Sequence, residues 1–294
     1  MERAKGILYA ALSSSTFGLA PLFTLLLLGL GYSSFEVLSY RWGVASVFLC
    51  ALALLAGRSF RLSWPELRTV FFLSLFRAAT SLSLVIAYQH IASGVASTIH
   101  FIYPLAVALA MMCFFREKGS VWVFAAIGMS IVGAVLLSLG NVDFTRGNTT
   151  LGMVSAAVSV VSYGGYIVGV RKSRAVGIDS TVLTCYVMGL GALYFIAGGL
   201  VTGGIRIETD GTAWLCILGV ALPATAVSNM TLVQAIKRIG PTLTSVFGAL
   251  EPLTAVVIGV AVFGEPFTTQ GAAGILLIVA AVTIVILHSG RRKA

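Results

Sequence analysis

The sequence predicts an all-α integral membrane protein, with ten transmembrane helices folded as two inverted-topology five-helix repeats around a central cavity. Three observations predict it: an apolar composition with few charges, ten apolar stretches on short connections, and a pattern that returns at offsets of 146 and 148 residues.

Hydrophobic residues make up 58% of the chain and charged residues 10%, against about 25% charged in a soluble globular domain. Such a chain lacks the polar surface to stay in water. The formal charge of +9 is spread over short loops, which fits control of membrane topology rather than nucleic-acid binding. Cys50, Cys113, Cys185 and Cys216 stand singly inside apolar stretches, without metal-ligand spacing or a disulfide framework. They read as small packing residues. No HExxH, GxSxG or Walker loop and no acidic cluster is present, so no enzyme, cofactor or metal is expected. The N-terminal apolar run is too long for a signal-peptide core and reads as a retained first helix.

Runs long enough to cross a ~30 Å hydrocarbon core occur at 6–30, 34–57, 66–90, 94–115, 120–140, 150–170, 180–203, 211–236, 240–263 and 268–288, here spans 1 to 10. With the N-terminus in the cytoplasm, 15 of the 19 Lys and Arg residues fall in cytoplasmic segments. Only Arg146 and Arg206 fall outside, while Arg41 and Arg77 lie within spans. That asymmetry predicts both termini in the cytoplasm.

The halves 1–143 and 144–294 resemble each other. "GILYAALSSSTFG" at 6–18 matches "GMVSAAVSVVSYG" at 152–164, and "IASGVASTIHFIYPLAVALAMMCFFRE" at 91–117 matches "IGPTLTSVFGALEPLTAVVIGVAVFGE" at 239–265. Ile91 then meets Ile239, Pro104 meets Pro252 and Glu117 meets Glu265. Five spans per half is an odd number, so the second copy crosses the membrane in the opposite sense. Inverted repeats with a midplane site between them are the mark of secondary transporters.

Taken in chain order, the spans differ in what they hold. Span 1 carries Pro21. Span 2 carries Arg41, seven residues in from the outside, where it can snorkel outward or pair with Glu36. Span 3 presents Ser74, Arg77, Ser81 and Tyr88 along one face, with Arg77 near the midplane. Span 4 presents Ser97, His100, Tyr103 and Pro104. Span 6 presents Ser155, Ser159, Ser162 and Tyr166, with Tyr163 beside them. Span 8 has Thr225, Ser228 and Asn229 after Pro223, and span 9 has Thr244, Gly248, Glu251 and Pro252. Spans 5 and 10 hold almost no polar residue and read as a lipid-facing fringe.

Two five-helix repeats whose fourth helices run "YPLAVALAMMCFFRE" and "EPLTAVVIGVAVFGE" resemble the drug/metabolite transporter superfamily, EamA type. The resemblance implies ten helices, the first four of each repeat around a cavity and the fifth and tenth outside it. It implies movement of amino acids, other small metabolites, drugs or cations, often outward, across the plasma (bacterial inner) membrane. Glutamate before this proline is common in that family, which assigns Glu251 to shared architecture, gating or coupling. Tyr103 stands where the second repeat has Glu251, so the two half-sites are chemically unequal.

Ionisable side chains at bilayer depth face a cavity or a partner. The expected substrate site is therefore Arg77, Ser81, Tyr88, His100, Tyr103, Ser159, Ser162, Tyr163, Tyr166, Ser228, Asn229, Thr244 and Glu251, with gating or coupling at Glu251, His100, Pro104 and Pro252. Arg77 would hold a carboxylate, while Glu251 or the span 6 hydroxyls meet an amine. The expected function is export or exchange of amino acids or similar zwitterions by alternating access. The alternative is an organic cation, drug or choline-like transporter using Glu251 and the tyrosines, with Arg77 structural. Other structural readings stand beside these. Small and hydroxyl residues also let membrane helices pack closely, His100 can be a packing histidine, and Arg77 and Glu251 can form an ion pair that never meets substrate. The expected partners are the bilayer, a small-molecule substrate and protons as a candidate coupling ion, with no nucleic acid; the oligomeric state is left open. The lack of a polar ring or filter loop argues against a channel.

Overall fold

The structure, a computed structural model, describes residues 2–138, 147–254, 257 and 268–291. Eight helices or helix pairs are long and apolar enough to cross a membrane: Glu2–Gly29, Ser34–Leu55, Trp64–His90, Ser93–Phe115, Thr149–Lys172, Ser180–Thr202, Gly211–Ile239 and Thr269–Leu287. Val121–Leu137 is a shorter apolar helix. These are spans 1–4, 6–8, 10 and 5. Span 9 starts as Pro241–Val246 and is helical again over 250–254. Apart from residue 257 the rest of it, with Glu265, lies outside the described residues, as do Arg146, Arg292 and Lys293.

Polar residues mark where several helices begin. Ser33 accepts from the Glu36 amide at 3.2 Å while its own amide donates to Glu36 Oε2 at 2.8 Å, a reciprocal cap that satisfies two donors the helix leaves free. Ser63 and Glu66 repeat that arrangement at the start of span 3. Asn148, Asp179 and Asp210 cap spans 6, 7 and 8 through bonds to Leu151, to Thr181 and Val182, and to Ala213. Each cap sits at the step from polar loop to apolar run, so composition and backbone chemistry agree on the boundary.

Four spans are broken, and each break lies beside a proline. Span 1 splits between Phe17 and Ala20, before Pro21, and span 4 between His100 and Tyr103, before Pro104. Span 9 passes through a 3-10 turn, Phe247–Ala249, before Pro252. Proline has no amide hydrogen to give, so the carbonyl upstream loses its partner. At Pro223 the outcome is a π-turn over Leu222–Val227, and the Thr225 hydroxyl donates 2.7 Å to the Val220 carbonyl.

Span 1 packs on span 8, span 3 on span 6, span 2 on span 7 and span 5 on span 10. The Cβ position of Gly6 falls 2.5 Å from Ile239 Cγ2, and that of Gly152 falls 2.7 Å from Ile91 Cγ2. Span 1 therefore starts beside the end of span 8, and span 6 starts beside the end of span 3. Followed along the chain, spans 1 and 6 begin at opposite faces of the bundle. One face, here the basic face, is tied by Arg238–Glu2 at 3.2 Å and Arg58–Asp179 at 3.6 Å. The other carries the Ser34–Gln89 bond and the Arg206–Glu36 pair.

Spans 5 and 10 touch backbone to backbone. A Cβ on Gly133 would lie 2.9 Å from the Gly274 carbonyl, and one on Gly274 would lie 2.7 Å from the Gly133 carbonyl. Glycine allows this approach. Leu276 on the far side of span 10 is 71% exposed, as a lipid-facing fringe requires.

Candidate functional site

The buried polar groups converge on Arg77. Its side chain is 1% exposed; Nε donates 2.8 Å to Asn229 Oδ1 and Nη1 donates 3.2 Å to Ser81 Oγ. Asn229 is oriented by a second bond, Nδ2 to the Thr225 carbonyl at 2.7 Å. The guanidinium carbon lies 5.4 Å from the Phe17 ring centroid, 5.1 Å from Tyr163 and 5.9 Å from Trp42. Aromatic faces stabilise a desolvated cation. Among the described residues the ion pairs are Lys5–Glu2, Arg58–Asp179, Arg206–Glu36 and Arg238–Glu2. Arg77 is in none, so the ion pair with Glu251 allowed by the sequence does not form.

His100, Tyr103 and Tyr163 form the adjoining wall, with ring centroids 4.6 to 5.2 Å apart. Tyr103 donates to Glu251 Oε1 at 3.2 Å. Ser159 gives its one hydroxyl proton to the Ala156 carbonyl at 2.6 Å, so its oxygen accepts from His100 Nδ1 at 2.8 Å. His100 is then the Nδ1–H tautomer and presents Nε2 as an acceptor. That atom is buried without a partner, as are Arg41 Nη2, Trp42 Nε1 and the Tyr166 hydroxyl. Buried polar groups are ordinarily bonded; among the described residues Ser39, Ser130 and Thr242 also have a buried hydroxyl without a partner.

Several expected site residues lie elsewhere or serve their neighbours. Ser162 accepts from Thr80 at 3.2 Å and donates to the Val158 carbonyl. The Tyr88 ring packs with Leu84, Ile91 and Ala96, while its hydroxyl bonds Ser97 and lies within electrostatic reach of Arg41 and Glu251. Thr244 returns its hydroxyl to the Gly240 carbonyl at 2.7 Å. Ser228 is buried, and its carbonyl accepts from Ser13 at 2.8 Å. Pro104 and Pro252 follow the span 4 and span 9 breaks, next to Tyr103 and Glu251.

Arg41 corrects the sequence reading. It neither snorkels nor pairs with Glu36. It is 4% exposed, its Nε donates 2.6 Å to Thr225 Oγ1, and its guanidinium carbon lies 5.8 Å from the same Phe17 ring that faces Arg77. Glu36 is taken by Arg206 at 3.3 Å.

Above the site, the face opposite the basic one is closed by a clasp between the span 1–2 and span 7–8 links. The Tyr32 hydroxyl donates to Glu208, the Arg206 guanidinium covers the Tyr32 ring at 3.8 Å, and Trp214 Nε1 donates 3.2 Å to the Glu208 carbonyl. Burial, reinforced by the Glu208 bond, pushes the Tyr32 phenol above its ordinary value. The Tyr32 bond holds the Glu208 carboxyl below its own. At the basic face lies a cavity of about 350 Å³, lined by Met111, Glu117, Lys118, Trp122, Arg238 and Leu243 among others. It shares no residue with the Arg77 cluster.

The sequence profile of the EamA-like transporter family matches residues 4–139 and again 150–287. The chain belongs to the EamA-like transporter family. This EamA-like protein is 27% identical over 287 residues to the uncharacterized transporter YojE of Bacillus subtilis (strain 168), covering 92% of this chain and 90% of that one. It is 24% identical over 217 residues to an uncharacterized transporter of Archaeoglobus fulgidus, covering 74% and 76%. A protein crystal structure superposes with a TM-score of 0.79 at 20% identity, over 100% of this chain and 99% of the other, a likeness of fold. The EamA-like chain is thus a multi-pass membrane transporter.

Sequence reasoning missed Phe17, Trp42 and Thr80, and it left Thr225, noted on span 8, out of the expected site. Phe17 had a signal: it aligns with Tyr163 at the offset of 146, and the two rings stack at 6.3 Å. Ser81 and Asn229, which share Arg77, are themselves related by the offset of 148.

Proposed function

We propose that this EamA-like transporter carries small zwitterionic metabolites, amino acids above all, by alternating access between two inverted copies, residues 1–143 and 144–294. The observation that carries the reading is Arg77: a midplane guanidinium bonded only to neutral Asn229 and Ser81. Leaving a buried charge without a counter-charge costs several kcal/mol, on the order of 3–5. A substrate carboxylate supplies it, with geometry that suits a guanidinium fork. Glu251 and the bare His100 Nε2 sit one aromatic layer away and meet the substrate's amine.

The cation-carrier alternative is weaker. The aromatic faces of Phe17, Trp42 and Tyr163, which would cage a quaternary amine, are already turned to Arg77. Clasped on one face and indented on the other, the molecule differs between its two faces, as one state of an alternating-access cycle does. Pro104 and Pro252 place the bends for the opposite state. The basic face is assigned to the cytoplasm from the Lys and Arg asymmetry, in the plasma membrane, with protons as candidate coupling ions through Glu251 or His100. Oligomeric state plays no part in the scheme.

Counterflow in proteoliposomes tests the reading. Preloaded amino acids are expected to accelerate uptake of a labelled amino acid, and Arg77→Ala to abolish that acceleration. Undiminished exchange of every carried substrate by Arg77→Ala would remove Arg77 from recognition. Acceleration by quaternary amines alone would favour the cation carrier.

A further inference from the structure

The charge count of the interior is uneven. Arg41 and Arg77 are both buried, and Glu251, half-buried, is the one carboxylate within the helical core beside them among the described residues, since Glu2, Glu36, Glu66, Glu117, Asp179, Glu208 and Asp210 sit at or beyond helix ends. A zwitterion matched to Arg77 and Glu251 leaves the Arg41 charge unanswered. Thr225 offers Arg41 a single neutral oxygen, and its hydroxyl proton is committed to the Val220 carbonyl. Glu36, the acid on the same helix, is held by Arg206. Arg41 Nη2 is buried with no acceptor.

Both guanidinium carbons face the Phe17 ring, at 5.8 and 5.4 Å from its centroid, so they lie at most about 11 Å apart. Guanidinium stays charged in proteins and is the side chain best suited to a buried carboxylate.

Resting on the zwitterion reading, we propose that Arg41 is a second anion-recognition residue and that the preferred substrate is an acidic amino acid. Its α-carboxylate lies on Arg77, its side-chain carboxylate on Arg41 Nη2 and its amine toward Glu251 and His100. The ligand brings one net negative charge, and with Glu251 ionised it balances the two arginines. An amide in place of the distal carboxylate fills the same volume but leaves the Arg41 charge unmatched.

The test is counterflow by the full-length protein in proteoliposomes, with glutamate, glutamine and glutarate as the preloaded probes. Glutamate is expected to drive exchange faster than glutamine by about tenfold or more, the effect of one charge-assisted bond. Arg41→Gln is expected to collapse that ratio toward one, whereas Arg41→Lys retains part of it. The ratio is read within each variant, so lower yield of either does not obscure it. Exchange of glutamine as fast as glutamate overturns the proposal and leaves the zwitterion reading standing, as does a ratio unchanged in Arg41→Gln. Glutarate exchanging without any amino acid supports the second anion subsite and sinks the zwitterion reading. Silence from all three probes overturns the proposal.

Discussion

Tyr103 donates its phenolic hydrogen to Glu251 Oε1 at 3.2 Å, and the two residues are equivalent positions of the sequence repeat, 148 residues apart. Phe17 and Tyr163 are a second equivalent pair that meets in the same core, stacked at 6.3 Å. The polar centre is assembled from residues that the repeat brings face to face with their own counterparts. Where the counterparts differ, tyrosine against glutamate and phenylalanine against tyrosine, the centre acquires its polarity.

Gly248 should be intolerant of alanine. A Cβ there would sit 1.7 Å from the Tyr103 hydroxyl oxygen and 2.8 Å from its ring carbon, so Tyr103 must leave Glu251. Overpacking of this kind costs about 1–3 kcal/mol. Gly248→Ala is expected to lose most transport, and adding Tyr103→Phe, which removes the clashing oxygen, to recover part of the stability. Thermal unfolding of the single and double variants in detergent measures the coupling; independent effects would show that Tyr103 moves freely.

Asn229 positions Arg77 through a bond worth about 1.5–3 kcal/mol when one partner is charged. Asn229→Ala is expected to raise the KM for the carried substrate by about tenfold with a smaller change in maximal rate. Asn229→Asp would answer the Arg77 charge from within the protein and is expected to suppress transport more than alanine does. Rates equal to the parent in Asn229→Asp would contradict a substrate carboxylate at Arg77.

The clasp carries a pH prediction. Glu208 is held below its ordinary value by the Tyr32 bond, so its contribution is present above the unfolded value and is lost as pH falls through the lower folded one. Tyr32 is held above its ordinary value by burial, so its contribution is present below the unfolded value and fades as pH rises through the higher folded one. The clasp is thus expected to stay shut from about pH 5 to pH 9, inside the ordinary carboxylate and phenol values, and to open in stronger acid. Trp214 fluorescence reports it through the indole bond to the Glu208 carbonyl, read as the difference from Trp214→Phe. An emission change centred near neutral pH would count against this assignment.

Gly274→Val should separate spans 5 and 10, because backbone oxygen cannot yield as a flexible side chain does. The expected result is a transporter that melts several degrees lower, as about 1–3 kcal/mol of overpacking implies, with an unchanged KM. A shifted KM at the parent's melting temperature would place this contact in substrate handling instead.

The sequence disclosed the spans because helix length and apolar composition are set by the bilayer, and Pro21, Pro104, Pro223 and Pro252 stand beside the breaks because proline withholds an amide hydrogen. Arg77, His100, Tyr163 and Asn229 were visible as polar residues where lipid tolerates none. Arg41 was misjudged because depth was counted along a straight helix from its outer end, about 10 Å for seven residues. Thr225 and the Phe17 ring, from spans 8 and 1, enclose the arginine, so it is buried in protein whatever its distance along the helix. Trp42 was invisible for the opposite reason, since an aromatic ring in an oily helix carries no mark of whether it faces lipid or a cation.

The matched contacts Gly6–Ile239 and Gly152–Ile91 carry an energetic consequence. On the reading of two inverted copies, exchanging the shapes of the halves converts one facing into the other while every helix contact finds an equivalent replacement. The two facings then start near parity in free energy. What tilts them is confined to the places where the copies disagree, chiefly Tyr103 against Glu251, so a handful of substitutions there could reset which side of the membrane the resting carrier greets.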